Sequence, residues 1–348
     1  MPSDLSVIEG EYLLDILSQP QALEDTLRSL RLGKPLEAVA AKLNGHQFHR
    51  VVLTGMGSSF HALHPLNLEL IGYGFTSVMV ETSELVHYKS KFFDPKTLII
   101  AVSQSGESAE MIRLIEMNRH HAAVIAVTNT PDSPLAKNAD VAMLTEAGKE
   151  FSVSCKTYVT ALMVLHWLGQ VLCERDLRQA QRELSQAAPS TSAYLTKWKD
   201  HVHSLAERLR NMRHLFLVGR GASLAAVGTG ALIVKESDRF HAEGMSSAAF
   251  RHGPFEMINE DTFVLVFSGD KKTKKLNRRL LDDVQAKGGC AELAGEDSSY
   301  APFRIPDGAT VGPILEILPV QMVTLAIAAQ MGREPGRFEL ASKVTTTE

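Results

Sequence analysis

Three serines and a glutamine crowd the segment Ser103-Gln104-Ser105-Gly106-Glu107-Ser108, between the apolar run 98–102 and a helical pattern that begins at Ala109. An apolar run of that length reads as a buried parallel strand. The hydroxyls and the amide of Ser103, Gln104, Ser105 and Ser108 would then meet the first turn of a helix. Its unpaired N–H groups and positive dipole end favour an anion. No lysine or arginine lies inside the turn, so it suits a phosphate monoester held by hydrogen bonds rather than by charge. The alternative is an ordinary polar strand–helix turn with Ser108 as N-cap. A second apolar strand, 51–53, led in by Arg50, runs into Thr54-Gly55-Met56-Gly57-Ser58-Ser59 and a helical pattern from Phe60. Its glycines allow a tight turn and a close approach to a ligand, to which Ser58 and Ser59 can donate. The third glycine of a dinucleotide fingerprint is missing, and no acidic residue ends the next strand where a ribose would sit. Two serine-rich strand ends at the carboxyl edge of a parallel sheet fit a sugar phosphate better.

The elements that must position these turns alternate. Strands are expected at 50–54, 77–81, 97–102, 122–127 and 140–144, with a long apolar helix at about 157–174. The pattern restarts at His214 with Leu-Phe-Leu-Val-Gly-Arg-Gly-Ala-Ser, an echo of Val-Val-Leu-Thr-Gly-Met-Gly-Ser-Ser. A strand at 262–268, a helix near 273–287, short strands near 290–294 and 303–305, and a closing helix at 313–331 follow. Strand–helix alternation argues for an α/β fold of parallel sheets with helices on both faces, and the echo for a duplicated domain. The polar stretch 175–192 places a boundary near residue 190, and a helical pattern resumes at 193–212. The expected organisation is a helical extension at 1–42 (amphipathic over 11–43), domains at 43–190 and 191–332, and a tail at 333–348.

Composition excludes several classes. The chain has 348 residues, 45% hydrophobic and 22% charged, with a net charge of −4. These are ordinary globular values that give no hint of a nucleic-acid partner. The basic cluster Lys271, Lys272, Lys274, Lys275, Arg278 and Arg279 reads as the solvated face of a surface helix. Cys155, Cys173 and Cys290 lie far apart without C-x-x-C spacing, which supports neither a disulfide framework nor a zinc site and suits a reducing cytoplasm. The acidic N-terminus (Asp4, Glu9, Glu11) is no signal peptide. The most apolar stretches, 159–173 and 313–331, are interrupted by His166, Gln170, Glu316 and Gln321, so they read as buried helices and no membrane partner is expected.

Gly-Met-Gly-Ser-Ser, then Ser-Gln-Ser-Gly-Glu-Ser, then Ala126-Val127-Thr128-Asn129 resemble the sugar isomerase (SIS) domain. More narrowly, Glu150-Phe151-Ser152-Val153-Ser154, Lys235-Glu236, Ala242-Glu243, Arg251-His252-Gly253-Pro254 and the tail Leu340-Ala341-Ser342-Lys343-Val344-Thr345 resemble the isomerase half of glucosamine-6-phosphate synthase and its stand-alone relatives. The resemblance runs from about residue 25 to the end. It implies two tandem SIS domains, each a flavodoxin-like three-layer sandwich, with phosphate and sugar contacts from Gly57, Ser58, Ser59, Ser103, Gln104, Ser105, Ser108, Val153 and Ser342. It implies no cofactor and no metal.

Moving a carbonyl between carbons 1 and 2 of a sugar phosphate requires ring opening, proton transfer between adjacent carbons, and stabilisation of the enediolate. One carboxylate can serve both carbons. Glu236 lies in the mainly apolar stretch Ala231-Leu232-Ile233-Val234-Lys235-Glu236, where partial desolvation would raise its pKa toward a useful range. The residues alone leave open an exposed Lys235–Glu236 pair, and the resemblance assigns Glu236 as the base. It likewise singles out His252, among thirteen histidines, for ring opening from a neighbouring subunit, hence a homodimer with shared sites. Residues 244–249 read as a small-residue loop that would let the His252 turn reach across. Lys343, on a tail that closes over the sugar, is the third catalytic residue implied.

Three departures bear on the reaction. Ile233 stands where the synthase carries a lysine one turn before its glutamate, Cys155-Lys156-Thr157 differ from the family pattern, and the spacing from Arg337 to Lys343 is longer. No cysteine-nucleophile glutaminase is expected ahead of the helical extension. The leading expectation is therefore an amino-sugar-phosphate isomerase/deaminase, converting glucosamine 6-phosphate or a close relative to fructose 6-phosphate plus ammonia. The alternatives are a fructosamine-6-phosphate deglycase and, from another class, a non-catalytic sugar-phosphate sensor. Sensors of this kind usually append a DNA-binding helix-turn-helix, for which the N-terminal segment offers no candidate.

Overall fold

In the computed structural model, whose described residues are 5–306, 311–340 and 342–345, the apolar runs form two parallel sheets. β1 (Arg50–Gly55), β2 (Ser77–Glu81), β3 (Thr97–Val102), β4 (Ala123–Thr128) and β5 (Val141–Leu144) stand in the order β2-β1-β3-β4-β5, that of flavodoxin-like folds. β6 (His214–Gly219), β7 (Ala242–Ser246), β8 (Thr262–Phe267) and β9 (Cys290–Ala294) repeat it with one strand fewer, as β7-β6-β8-β9. β3 and β8 are buried at every residue, as central strands covered on both faces must be.

Alternate side chains explain the covering helices. On one face of the first sheet Val52, Ile99, Ala101 and Val124 pack with Leu85 and Val86 of the helix Thr82–Tyr88 and with Met111 and Leu114 of the helix Ala109–Asn118. Their neighbours Val51, Leu53, Leu98 and Ile100 are fully buried on the opposite face. In the second sheet Phe216, Val218, Val264 and Val266 meet Leu280, Leu281 and Val284 of the helix Lys274–Ala286. On its other face Leu217 meets the helix Leu224–Asp238.

The chain divides into two units, each discontinuous in sequence. The five-stranded unit comprises Gln21–Lys149, Lys156–Ser185 and Leu340–Glu348; the four-stranded unit comprises Met1–Pro20, Glu150–Cys155 and Gln186–Glu339. Within the four-stranded unit the N-terminal piece is tied down by buried polar contacts. Tyr12 Oη lies 3.3 Å from Thr324 Oγ1, the amides of Gln19 and Gln321 exchange hydrogen bonds of 2.9 and 3.0 Å, and Asp15 Oδ2 accepts the Phe151 N–H at 2.6 Å. The two most apolar stretches are interior to their units: the helix Lys156–Leu172 is buried along nearly its whole length, and so is Leu318 to Ala328.

Several expected elements differ. The segment read as a loop at 244–249 is strand β7 followed by the helix Ser247–Arg251. No strand forms at 303–305; a 3-10 turn, Ala301–Phe303, is followed by a single bridge between Gly295 and Arg304. The closing helix at 313–331 is two helices, Gly312–Leu315 and Leu318–Met331, because Pro319 has no N–H to offer the Leu315 carbonyl. The polar stretch 175–192 is not a plain linker. Asp176 caps a helix Leu177–Leu184 by accepting N–H bonds from Arg178 and Gln179 at 2.9 and 3.2 Å. The helical pattern 193–212 resolves into Ala187–Leu195 and Trp198–Arg208, and the extension 11–43 into Glu11–Leu17, Gln19–Ser29 and Lys34–Asn44.

Candidate active site

In the five-stranded unit both serine turns leave adjacent parallel strands whose last residues, Gly55 and Val102, are register partners. Gly57, at φ +52°, opens the short helix Gly57–His61, whose first turn carries buried Ser58 and half-exposed Ser59. In the other turn Ser103 and Ser105 are buried and Gln104 and Ser108 half-buried. Ser103 Oγ accepts the Gly106 N–H at 3.1 Å and Ser105 Oγ accepts the Glu107 N–H at 3.3 Å. A hydroxyl that accepts keeps its own proton to donate. The main chain is pinned as well: the Gln104 carbonyl accepts from Asn129 N and Thr128 Oγ1, both at 3.1 Å, and the Gly106 carbonyl from Leu135 N at 3.1 Å. Gly106 has φ +67°, and a Cβ there would lie 2.3 Å from Ser133 Oγ, so this turn accepts glycine only. Ser108 occupies the N-cap of the helix Ala109–Asn118 but makes no side-chain capping bond, unlike Ser133, which caps the helix Pro134–Asn138.

The tail belongs to the same unit. Ser342 Oγ donates to the Val344 carbonyl at 2.7 Å, Lys343 is half-buried, and the Thr345 carbonyl accepts the Ala109 N–H at 3.1 Å. The tail is thus anchored on the first turn of the helix that follows the serines, a contact sequence reasoning missed because no side-chain signal marks it. Ala341 and residues 346–348 of the expected tail lie outside the described residues, as do residues 1–4 with Asp4.

Glu236, His252 and Val153 are in the four-stranded unit. Glu236 sits half-buried near the end of the helix Leu224–Asp238. Burial pushes its carboxyl up to about 7 from the ordinary 4.5; the neighbouring Lys235 pulls it down and Glu150 pushes it further up. Ile233 is fully buried, so the apolar side of this helix is committed to packing. Glu150 is itself buried, and its Oε1 accepts the Cys155 N–H at 3.0 Å and the Cys155 thiol at 3.5 Å. The carboxylate thereby closes the turn that carries Val153, a fully buried residue. The sequence assigns Glu150 no role; its signal is an acidic residue heading a short turn before a long apolar helix. His252 is exposed, held by its N–H to the Ala249 carbonyl at 2.9 Å, and followed by Gly253 at φ +136°.

The five-stranded unit therefore supplies a cradle of hydroxyls and main-chain donors suited to an anion. The four-stranded unit supplies a carboxyl that titrates near neutrality and an exposed imidazole. Among the described residues no three His, Cys, Asp or Glu side chains are grouped to hold a metal ion, and the three cysteines are free thiols.

The sequence matches the SIS domain model over residues 46–170 and 208–291. It is 29% identical over 352 residues to the isomerizing glutamine–fructose-6-phosphate aminotransferase of Pyrococcus horikoshii, covering 98% of this chain and 58% of that protein. The chain thus spans less than two thirds of that relative. Among solved structures, the C-terminal domain of glucosamine-fructose-6-phosphate aminotransferase from Francisella tularensis superposes with a TM-score of 0.81 at 21% identity, over 94% of this chain and 98% of that one. Glucosamine-6-phosphate deaminase from Thermotoga maritima gives 0.77 at 18% identity, over 97% and 100%. At those identities the two structures share the fold.

Proposed function

Because the chain belongs to the SIS domain family, we propose that it is a phosphosugar isomerase/deaminase acting on an amino-sugar 6-phosphate. The observation that carries this reading is Glu236, a carboxyl lifted to about 7 by burial near the end of a mainly apolar helix. A base with that pKa can both take and return a carbon-bound proton near neutral pH. The phosphate is held by Ser59, Ser103, Ser105 and Ser108, with Gly57, Ser58 and Gln104 shaping the cradle. His252 moves the ring-opening proton, and Lys343 on the tail assists it. In the open chain Glu236 removes the proton from carbon 2 and returns it to carbon 1. The aldehyde becomes a primary alcohol and the carbon–nitrogen bond an imine. Water adds to the imine, ammonia leaves, and a ketose phosphate remains. The His252 turn serves a neighbouring copy, so the working form is a homodimer.

The relatives' printed activities support this choice of substrate class. The test is incubation of the pure protein with a panel of amino-sugar and fructosamine 6-phosphates, following ammonia, amine and ketose separately. Ammonia and ketose phosphate in equal amounts are expected from a 2-amino-aldose 6-phosphate. Release of an amino acid from a fructosamine phosphate would make it a deglycase, and binding without turnover of any panel member would make it a sensor.

A further inference from the structure

The two sheets end in matching turns whose chemistry differs. Gly55-Met56-Gly57-Ser58-Ser59 after β1 corresponds to Gly219-Arg220-Gly221-Ala222-Ser223 after β6, and Gly57 and Gly221 share a positive φ, +52° and +61°. Ser223 is therefore the counterpart of Ser59. Likewise Ser105-Gly106-Glu107 after β3 corresponds to Ser268-Gly269-Asp270 after β8, with φ +67° at Gly106 and +69° at Gly269. β8 ends at Phe267, and by sheet register Ser268 stands where Ser103 does, each donating its N–H to the carbonyl of the residue paired with the one before it, Val127 at 3.0 Å and Ala294 at 2.9 Å; the second turn reaches its glycine two residues sooner.

In the second pair one serine hydroxyl and two N–H groups are held by carboxylates. Ser223, 2% exposed, donates its hydroxyl to Glu316 Oε1 at 2.7 Å. Asp270 Oδ1 accepts the N–H groups of Lys272 and Thr273 at 3.0 and 3.1 Å and lies 3.2 Å from the Thr273 hydroxyl, which covers the start of the helix Lys274–Ala286. Asn277 Nδ2 donates to the Ser268 carbonyl at 3.1 Å. In the first pair no carboxylate is bonded to Ser59, Ser103 or Ser105 among the described residues.

We propose that Glu316 and Asp270 are internal anions that fill the second turn pair, making them the residues that confine sugar phosphate to the first. The duplicated fold would otherwise present two anion cradles per chain. A carboxylate on Ser223 takes the hydroxyl proton a phosphate oxygen would need, and it stays there if protonated, since a neutral carboxyl still accepts. A carboxylate on the helix start spends the N–H groups that make such a turn attractive to anions. The inference rests on the phosphate-binding role given above to Ser59 and Ser105.

Calorimetric titration with fructose 6-phosphate tests it. The wild-type protein should bind one equivalent per chain. Ser59→Ala should weaken binding roughly 10-fold, the loss expected of one hydrogen bond in a desolvated site, while Ser223→Ala leaves affinity and stoichiometry unchanged. Replacing both internal anions, as Glu316→Ser with Asp270→Ser, should raise the stoichiometry toward two, with circular dichroism confirming a folded chain. Two equivalents in the wild type, or equal weakening by Ser223→Ala and Ser59→Ala, overturns the proposal, and neither result depends on the double variant folding. A folded double variant that still binds one equivalent overturns it too. If instead both Ser59→Ala and Ser105→Ala bind like wild type, the phosphate assignment itself is wrong.

Discussion

Replacing Glu236 by glutamine keeps the shape of the side chain and removes its charge, so activity and stability should move in opposite directions. In the folded protein the carboxyl keeps its proton up to about pH 7, whereas its ordinary value is 4.5. Between those two values the unfolded chain binds fewer protons than the folded one, so this group makes stability fall as pH rises, and above 7 the full penalty is present. A rise from 4.5 to about 7 corresponds to roughly 3 kcal/mol at most, at 1.36 kcal/mol per tenfold change. Glu236→Gln should therefore be more stable than wild type at pH 8, by about 1–3 kcal/mol once partial solvent screening is allowed for, with the gain fading to nothing toward pH 4.5. Glu316 is also lifted to about 7 by burial, but it is common to both proteins and cancels in the difference. Urea unfolding from pH 5 to 8 reads the stability. On the activity side, loss of the proton shuttle should cost about 100- to 10,000-fold in turnover, and solvent-hydrogen exchange at carbon 1 or 2 should vanish. In the wild type kcat/KM should climb with pH up to a midpoint near 7, where the carboxyl loses its proton. A variant with no stability gain at pH 8, or with exchange intact, would refute the reasoning, since the carboxyl would be neither desolvated nor the base.

Ser105→Ala should weaken sugar-phosphate binding by about 1–3 kcal/mol while leaving the fold intact; unchanged affinity in an isotherm removes this turn from the site. Gly106→Ala forces a Cβ to 2.3 Å from Ser133 Oγ at a φ of +67°, so both stability and phosphate affinity should drop, and a neutral result in urea unfolding would mean the turn is not pinned as described. Mixing His252→Ala subunits with Glu236→Gln subunits should restore part of the activity. A hybrid dimer with shared sites carries one site with both lesions and one with neither, and confirmed hybrids that remain inactive would place His252 and Glu236 in the same subunit's site.

The buried strands were legible because both faces of each sheet are covered, which makes β1, β3, β4, β6 and β8 nearly unbroken apolar runs. β7 was not, since Ala242-Glu243-Gly244-Met245-Ser246 is an edge strand paired only with β6 and partly exposed. Its Gly244 reads as a loop residue, yet a Cβ there would lie 2.4 Å from the Val227 carbonyl oxygen, so glycine serves close packing. That the two serine turns follow buried strands could be read from the apolar runs ahead of them; that those strands are adjacent register partners could not. Singling out Glu236 needed the resemblance, because its apolar stretch left open an exposed Lys235–Glu236 pair, and only the folded helix shows Glu236 half-buried. Glu150, the Thr345 carbonyl and the Ser223–Glu316 bond were beyond the sequence, since each depends on residues distant in the chain or on a main-chain atom.

The interleaving of the two units has a consequence for synthesis. The segment up to Pro20 belongs to the unit whose strands are made after the other sheet, and Tyr12 and Gln19 wait for Thr324 and Gln321. The unit whose sheet is made first lacks the hydrogen bond from Ala109 to Thr345 until residue 345 has been made. Co-translational folding by successive N-terminal domains therefore cannot complete the four-stranded unit before residue 324 is made, nor the five-stranded unit before residue 345. A cut near residue 190 would leave each half without a segment carried by the other, so the halves should be obtained folded by co-expression rather than separately.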